Sequence, residues 1–291
     1  MTVPSSLYRL TGELAPPSPV LVVALDGWVD AGLAGATAMA SLLEAVATRP
    51  YAVFDGEELL DNRARRPKIG IVDGINDSIE WPEVILSVGV DRLGSGIFML
   101  AGPEPDMRWR SFSQAVAELA KSLDVRLMVG LGGFPAGAPH TRPVKLAATA
   151  SNVQLAQQIG FIPGAIDFPA GIQAVLERAC SSVGIPAVGL WARVPHYVAA
   201  MPFPAASAAL LDGLASLSGL VIDSHLLTEA ADEARAKVDE LISQSSEHQA
   251  MVRQLEQQID EIEGKPVSFD DRRVPSGDEI AAELERYLRG Q

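Results

Sequence analysis

The sequence predicts a three-layer α/β domain followed by a helical extension, and three observations lead there. Short apolar runs without interruption alternate with longer segments of helical periodicity, as strands covered on both faces by crossover helices require. The runs at residues 20–25, 127–131 and 187–191 each lead into a segment rich in turn-forming residues. From Leu220 to Glu263 glycine and proline are absent and charge density rises, so the chain changes character there. Residues 1–222 are expected to form the core and residues 223–291 an acidic helical extension.

Taken in order, residues 20–25 form a buried strand and residues 33–47 a helix, which with a strand at 51–54 suggests parallel pairing through a right-handed crossover. Residues 57–68 are polar and read as a surface excursion; 69–72 and 84–88 suit a hairpin around Asp73-Gly74-Ile75-Asn76-Asp77, with parallel placement as the alternative. A strand at 97–101 precedes a helix at 109–123 with Val116, Leu119, Ala120 and Leu123 on one stripe. The strand at 127–131 gives way to a Gly/Pro loop running to Pro143, then a strand at 144–149, a short helix at 153–159, a better one at 171–183 and a strand at 187–191. A helix at 204–217 starts on Pro204, which its first turn tolerates. Beyond it, Ala231, Ala234, Val238, Leu241, Ser245, His248, Val252, Leu255, Ile259 and Ile262 alternate spacings of three and four, a heptad seam. One long helix or a hairpin bent near Ser243–Ser246 satisfies that seam, acting either as a lid on the core or as an oligomerisation element. A final helix is expected at 278–288 with Ser276 as its cap.

The chain is 48% hydrophobic and 21% charged, enough for a sizeable core. A net charge of −14 argues against nucleic acid or an anionic membrane as partner. The single cysteine, Cys180, excludes an internal disulfide or a Cys-rich metal site and reads as a small core residue. Residues 1–19 lack the basic start and apolar centre of a signal peptide, and no apolar run reaches the roughly 18–20 residues of a membrane helix. A cytoplasmic protein is expected.

If the three strands lie parallel, their following segments gather at the carboxyl edge, where open α/β sheets bind ligands. Asp30 is placed to cap the next helix; Asp26 is then the freer group, for a sugar hydroxyl, a metal or a basic partner. His140, Thr141 and Arg142 offer a proton carrier, a hydroxyl and a cation, suited to a phosphate or carboxylate; a rigid loop packed on a neighbouring subunit, with Arg142 in an ion pair, fits equally. His196 beside Tyr197 is a weak catalytic signal alone, and His225 and His248 have no metal-ligand spacing. No Gly-x-Gly-x-x-Gly, P-loop or Gly-x-Ser-x-Gly is present; Ser95 between Gly94 and Gly96 fails the last pattern. No nucleophile, cofactor or metal is implied.

The set Asp26-Gly27-Trp28-Val29-Asp30-Ala31-Gly32, Pro139-His140-Thr141-Arg142-Pro143, and Val194-Pro195-His196-Tyr197 with Met201-Pro202-Phe203-Pro204-Ala205-Ala206-Ser207 resembles the proteasome assembly chaperone 2 family, in particular its uncharacterised actinobacterial branch. The resemblance covers residues from about 20 to 221. It implies a phosphorylase/hydrolase-like α/β/α fold with a mixed, mostly parallel sheet, homo-oligomers (a trimer by family precedent) and a protein partner such as proteasome subunits. Asp26, Trp28, Asp30, His140, Thr141, Arg142, His196 and Tyr197 would then shape a partner or ligand surface in a non-enzymatic interaction protein. Because enzymatic relatives of the fold include nucleoside phosphorylases, the alternative is a small-molecule enzyme or binder with a nucleoside or small anion at the strand ends.

Overall fold

The structure, a computed structural model, describes residues 7–12, 15–27 and 29–263. Its elements in chain order are β1 (Tyr8–Leu10), β2 (Val20–Asp26), α1 (Ala34–Ala45), β3 (Arg49–Phe54), α2 (Gly56–Leu59), β4 (Lys68–Val72), β5 (Ile75–Glu80), β6 (Ile85–Val90), β7 (Gly96–Pro103), α3 (Trp109–Ser122), β8 (Leu127–Ala136), β9 (Leu146–Ala150), α4 (Val153–Ile159), α5 (Ile172–Ser182), β10 (Ala187–Pro195), α6 (Pro204–Ser218), α7 (His225–Ser243) and α8 (Ser246–Glu263). The expected helix at 278–288 and its Ser276 cap lie outside the described residues.

The central strands are apolar along most of their length because both of their faces are buried. Along β2, Val20, Val22 and Ala24 join one core with α1 and α6, while Leu21 and Val23 join a second with α3 and α5. Helices on both faces of one sheet make the three layers. The sheet has eight strands in the order β1-β3-β6-β7-β2-β8-β10-β9. Strands β2, β3, β7, β8 and β10 run one way and β1, β6 and β9 the other, so the sheet is mixed and mostly parallel.

The structure corrects several local expectations. β3 does not pair with β2; β7 and β6 intervene, and β3 hydrogen-bonds antiparallel to β6 and β1. The residue 69–72 strand pairs with β5, not with β6, forming a separate ribbon closed at Asp73-Gly74, while β6 enters the main sheet. Within the supposed surface excursion, Leu59 and Leu60 are buried in the core.

The largest difference concerns length. Glycine and proline after Leu131 predicted a loop, yet β8 continues to Ala136 and pairs in parallel with β10 as far as Ala136↔Pro195. Here the glycines permit close approach rather than breaking the strand: a Cβ on Gly132 would stand 2.7 Å from the Trp191 ring, and one on Gly133 2.6 Å from the Ala31 carbonyl. His140 and His196 are therefore carried well past the level where β2 ends.

The heptad seam is split into two helices by Gln244 and Ser245, the hairpin alternative. Leu227 and Val238 of α7 enter the same core cluster as β2, and Ile242 packs against it, whereas Leu241 points outward. The inward stripe thus shifts by one residue at its end, because α7 follows the 3.6-residue period of a straight helix. Among the described residues no helix is long and apolar enough to cross a membrane.

Candidate functional site

The strand-end residues fall into two groups. The first borders a cavity of about 560 Å³ between the carboxyl end of β2, the middle of β8 and β10, the start of α5, and residues 160–171. Asp26, Asp30, Glu104 and Glu177 reach it, amid a mostly apolar wall that includes Leu131, Phe134, Ile166, Phe168 and Trp191. Among the described residues no Lys, Arg or His lines it.

Asp30 does the work of a helix cap. A left-handed bend at Gly32 and Leu33 turns the chain so that its carboxylate accepts from the Gly35 and Ala36 amides of α1 at 2.8 and 2.9 Å. Burial raises its carboxyl above the ordinary value, and those amides together with that of Gly133 work against the rise. Asp26 closes β2; burial raises it too, opposed by the charge of Arg65. Glu104 holds the start of α5, accepting from the Ile172 amide at 2.6 Å. Trp28 lies outside the described residues.

Glu177 forms the floor and escaped the sequence reading. It is 8% exposed, and burial pushes its carboxyl up to about 7, against the lowering effect of the Thr149 hydroxyl and Gln173. Thr149 Oγ1 donates to its carboxylate at 3.0–3.1 Å and itself accepts from Trp191 Nε1 at 3.0 Å. Room for this relay exists because position 189 is glycine: a Cβ there would stand 2.3 Å from Glu177 Oε1. One signal was legible. Gln173 and Glu177 are spaced i, i+4 directly beside the buried stripe Ile172, Leu176, Cys180, so they follow it onto the sheet-facing side. Cys180 is buried, and burial with the Glu177 charge pushes its thiol up to about 12, so it is inert.

The second group sits beyond the ends of β8 and β10, against helices α7 and α8. His140 is 5% exposed; its Nδ1 lies 2.7 Å from Tyr197 Oη and its Nε2 2.9 Å from Asp239 of α7. Its backbone N–H donates to the same Tyr197 oxygen at 2.8 Å. Burial raises the Tyr197 phenol, which favours the neutral donor. Thr141 donates to Glu256 at 2.5 Å, and Arg142 clamps Asp260 in a fork at 2.8 and 3.0 Å while also reaching Glu256 at 3.2 Å. His196 is exposed, its ring edge-on to Tyr197.

The structure thus brings Asp26 and Asp30 together, and separately His140, Thr141, Arg142 and Tyr197. It does not bring the histidines or Arg142 to the cavity. Among the described residues no three His, Cys, Asp or Glu side chains stand close enough to hold a metal ion.

The comparison with known families decides the relationship: the PAC2 family model matches residues 24–242. The chain belongs to the PAC2 family. A Mycobacterium tuberculosis protein of unknown function is 37% identical, over 90% of this chain and 93% of that one, with a TM-score of 0.81. A Mycobacterium tuberculosis proteasome-assembly chaperone homologue is 34% identical over 80% of this chain and 99% of its own, with a TM-score of 0.74. A Pyrococcus furiosus archaeal proteasome activator shares the fold alone, at 14% identity, 82% and 99% coverage, and a TM-score of 0.62. Among curated proteins, none matches.

Proposed function

We propose that this chain is a non-enzymatic, self-associating interaction protein of the assembly-chaperone kind, with proteasome subunits as the client suggested by its relatives. The observation that carries the reading is the ribbon of β4 and β5. Ile71 and Ile75 are 64% and 69% exposed, and Ile69, Val72, Ile79 and the following Trp81 are exposed as well. A two-stranded ribbon is marginal in water by itself, and this many exposed apolar side chains on it call for a partner. The cover that is present whenever the chain folds is a second copy of the chain. The family relationship supports the client, and an acidic surface favours a basic patch on it, chiefly through the association rate.

The test is sedimentation equilibrium at micromolar concentration on the wild type and an Ile71→Asp/Ile75→Asp variant, followed by assembly kinetics of purified proteasome α and β subunits with each. The wild type is expected to self-associate and to change the assembly rate, and the variant to do neither while keeping its fold. A monomeric wild type without effect on assembly sinks the reading.

A second reading rests on the cavity, which is of ligand size and holds a buried carboxyl relay: the chain also binds a small molecule there. With Asp26, Asp30, Glu104 and Glu177 around it and Arg142 engaged by α8, the cavity suits a phosphate or other anion poorly.

A further inference from the structure

We propose that the cavity above Glu177 is a site for an organic cation, a primary ammonium or guanidinium group carried on an apolar, ring-sized body. The proposal deepens the second reading above and rests on it. The feature is a cavity first, and its charged residues then choose the ligand. About 560 Å³ is in the range of small-molecule sites, and the wall is mostly aliphatic and aromatic, so an apolar body gains from entering. Ile166 and Phe168, both largely exposed, stand at its rim on the irregular segment 160–171, where a ligand would cover them.

Two shielded polar groups in the wall are short of partners. The oxygens of Glu177 share the single hydroxyl proton of Thr149, whereas a carboxylate accepts about four hydrogen bonds. Gln173 Nε2, closed off from solvent, makes no hydrogen bond of normal geometry, although it lies near enough to favour the Glu177 anion. Both groups can therefore take a further partner from a bound ligand. An N–H donor on the ligand fits Glu177, and a positive charge fits the field of Asp26, Glu104 and Glu177, none of which faces a basic residue lining the cavity among the described residues. Arg65, whose charge acts on Asp26, is drawn to Asp106 at 3.2 Å. Asp30 contributes charge but already spends its oxygens on the α1 amides.

Calorimetric titration at about pH 8 with tryptamine, tryptophol and indoleacetate tests this, since the three share an indole and differ in the charge of the end group. Tryptamine is expected to bind roughly tenfold tighter than tryptophol, the usual size of a hydrogen bond to a charged group, with indoleacetate weakest. Glu177→Gln should bring tryptamine to within about threefold of tryptophol, and Asp26→Asn should weaken tryptamine more than tryptophol, through the field. If tryptophol or indoleacetate binds tightest, the cation proposal is overturned while the cavity reading stands. If none of the three binds at millimolar concentration, both fall.

Discussion

Replacing Glu177 by Gln isolates the cost of burying a carboxylate in this wall. In the folded chain the carboxyl titrates near 7, against 4.5 for the ordinary group, with burial as the main cause. A group whose folded value is raised favours folding below its unfolded value and loses that contribution as pH rises through the folded value. Here the loss begins near pH 4.5 and is complete just above pH 7. The difference between those values corresponds to about 3 kcal/mol, of which roughly 2–3 kcal/mol develops between pH 5 and pH 8. Glutamine keeps the shape and an acceptor for Thr149 but cannot ionise. Urea unfolding of both proteins at the two pH values is the assay. The variant should match the wild type within about 1 kcal/mol at pH 5 and exceed it by about 2–3 kcal/mol more at pH 8. A difference that is equal at both pH values refutes the reasoning, because then Glu177 does not carry its charge cost in the folded state.

Gly189→Ala places a methyl group 2.3 Å from Glu177 Oε1 and 2.6 Å from Thr149 Oγ1, so the relay must part. It should cost about 1–3 kcal/mol by urea unfolding and should shrink the pH-dependent gain of Glu177→Gln in the double variant. His140→Ala removes the ring that links Tyr197 to Asp239; about 2–3 kcal/mol of stability should be lost, with faster protease cleavage between α7 and α8. Asp260 is held below the ordinary carboxylate value by the Arg142 fork, so its contribution is present at neutral pH and lost as pH falls through that lowered value. Asp260→Asn should therefore speed amide exchange in α8 at neutral pH, an effect that high salt erases; unchanged exchange would show that the fork does not hold the helix.

Much of the fold was legible because burial on two faces leaves a local imprint. The run Val20–Asp26 is apolar where both core clusters take it, α6 begins on Pro204, and Asp30 was readable as a cap from its place between a strand and a helix. The ribbon and the long β8 were not legible. Glycine and proline after Leu131 look like breakers until Trp191 and Ala31 are seen pressing on Gly132 and Gly133. The partners of the strand-end residues were hidden for the same reason: His140, Thr141 and Arg142 are a polar cluster in sequence, but what they meet is Asp239, Glu256 and Asp260.

By itself the sequence determined the α/β class, the alternation of elements, the acidic helical end and the family, since each depends on residue type, period or spacing along the chain. Tertiary structure alone decided which strands are neighbours, how far β8 and β10 run together, and which acids share the cavity. Thr149 meets Glu177, and His140 meets Asp239 at a separation of 99 residues, only because parallel strands in one register and a returning helical pair bring them there. Periodicity reports the face a side chain turns toward the core; it carries no information about the distant side chain it will meet.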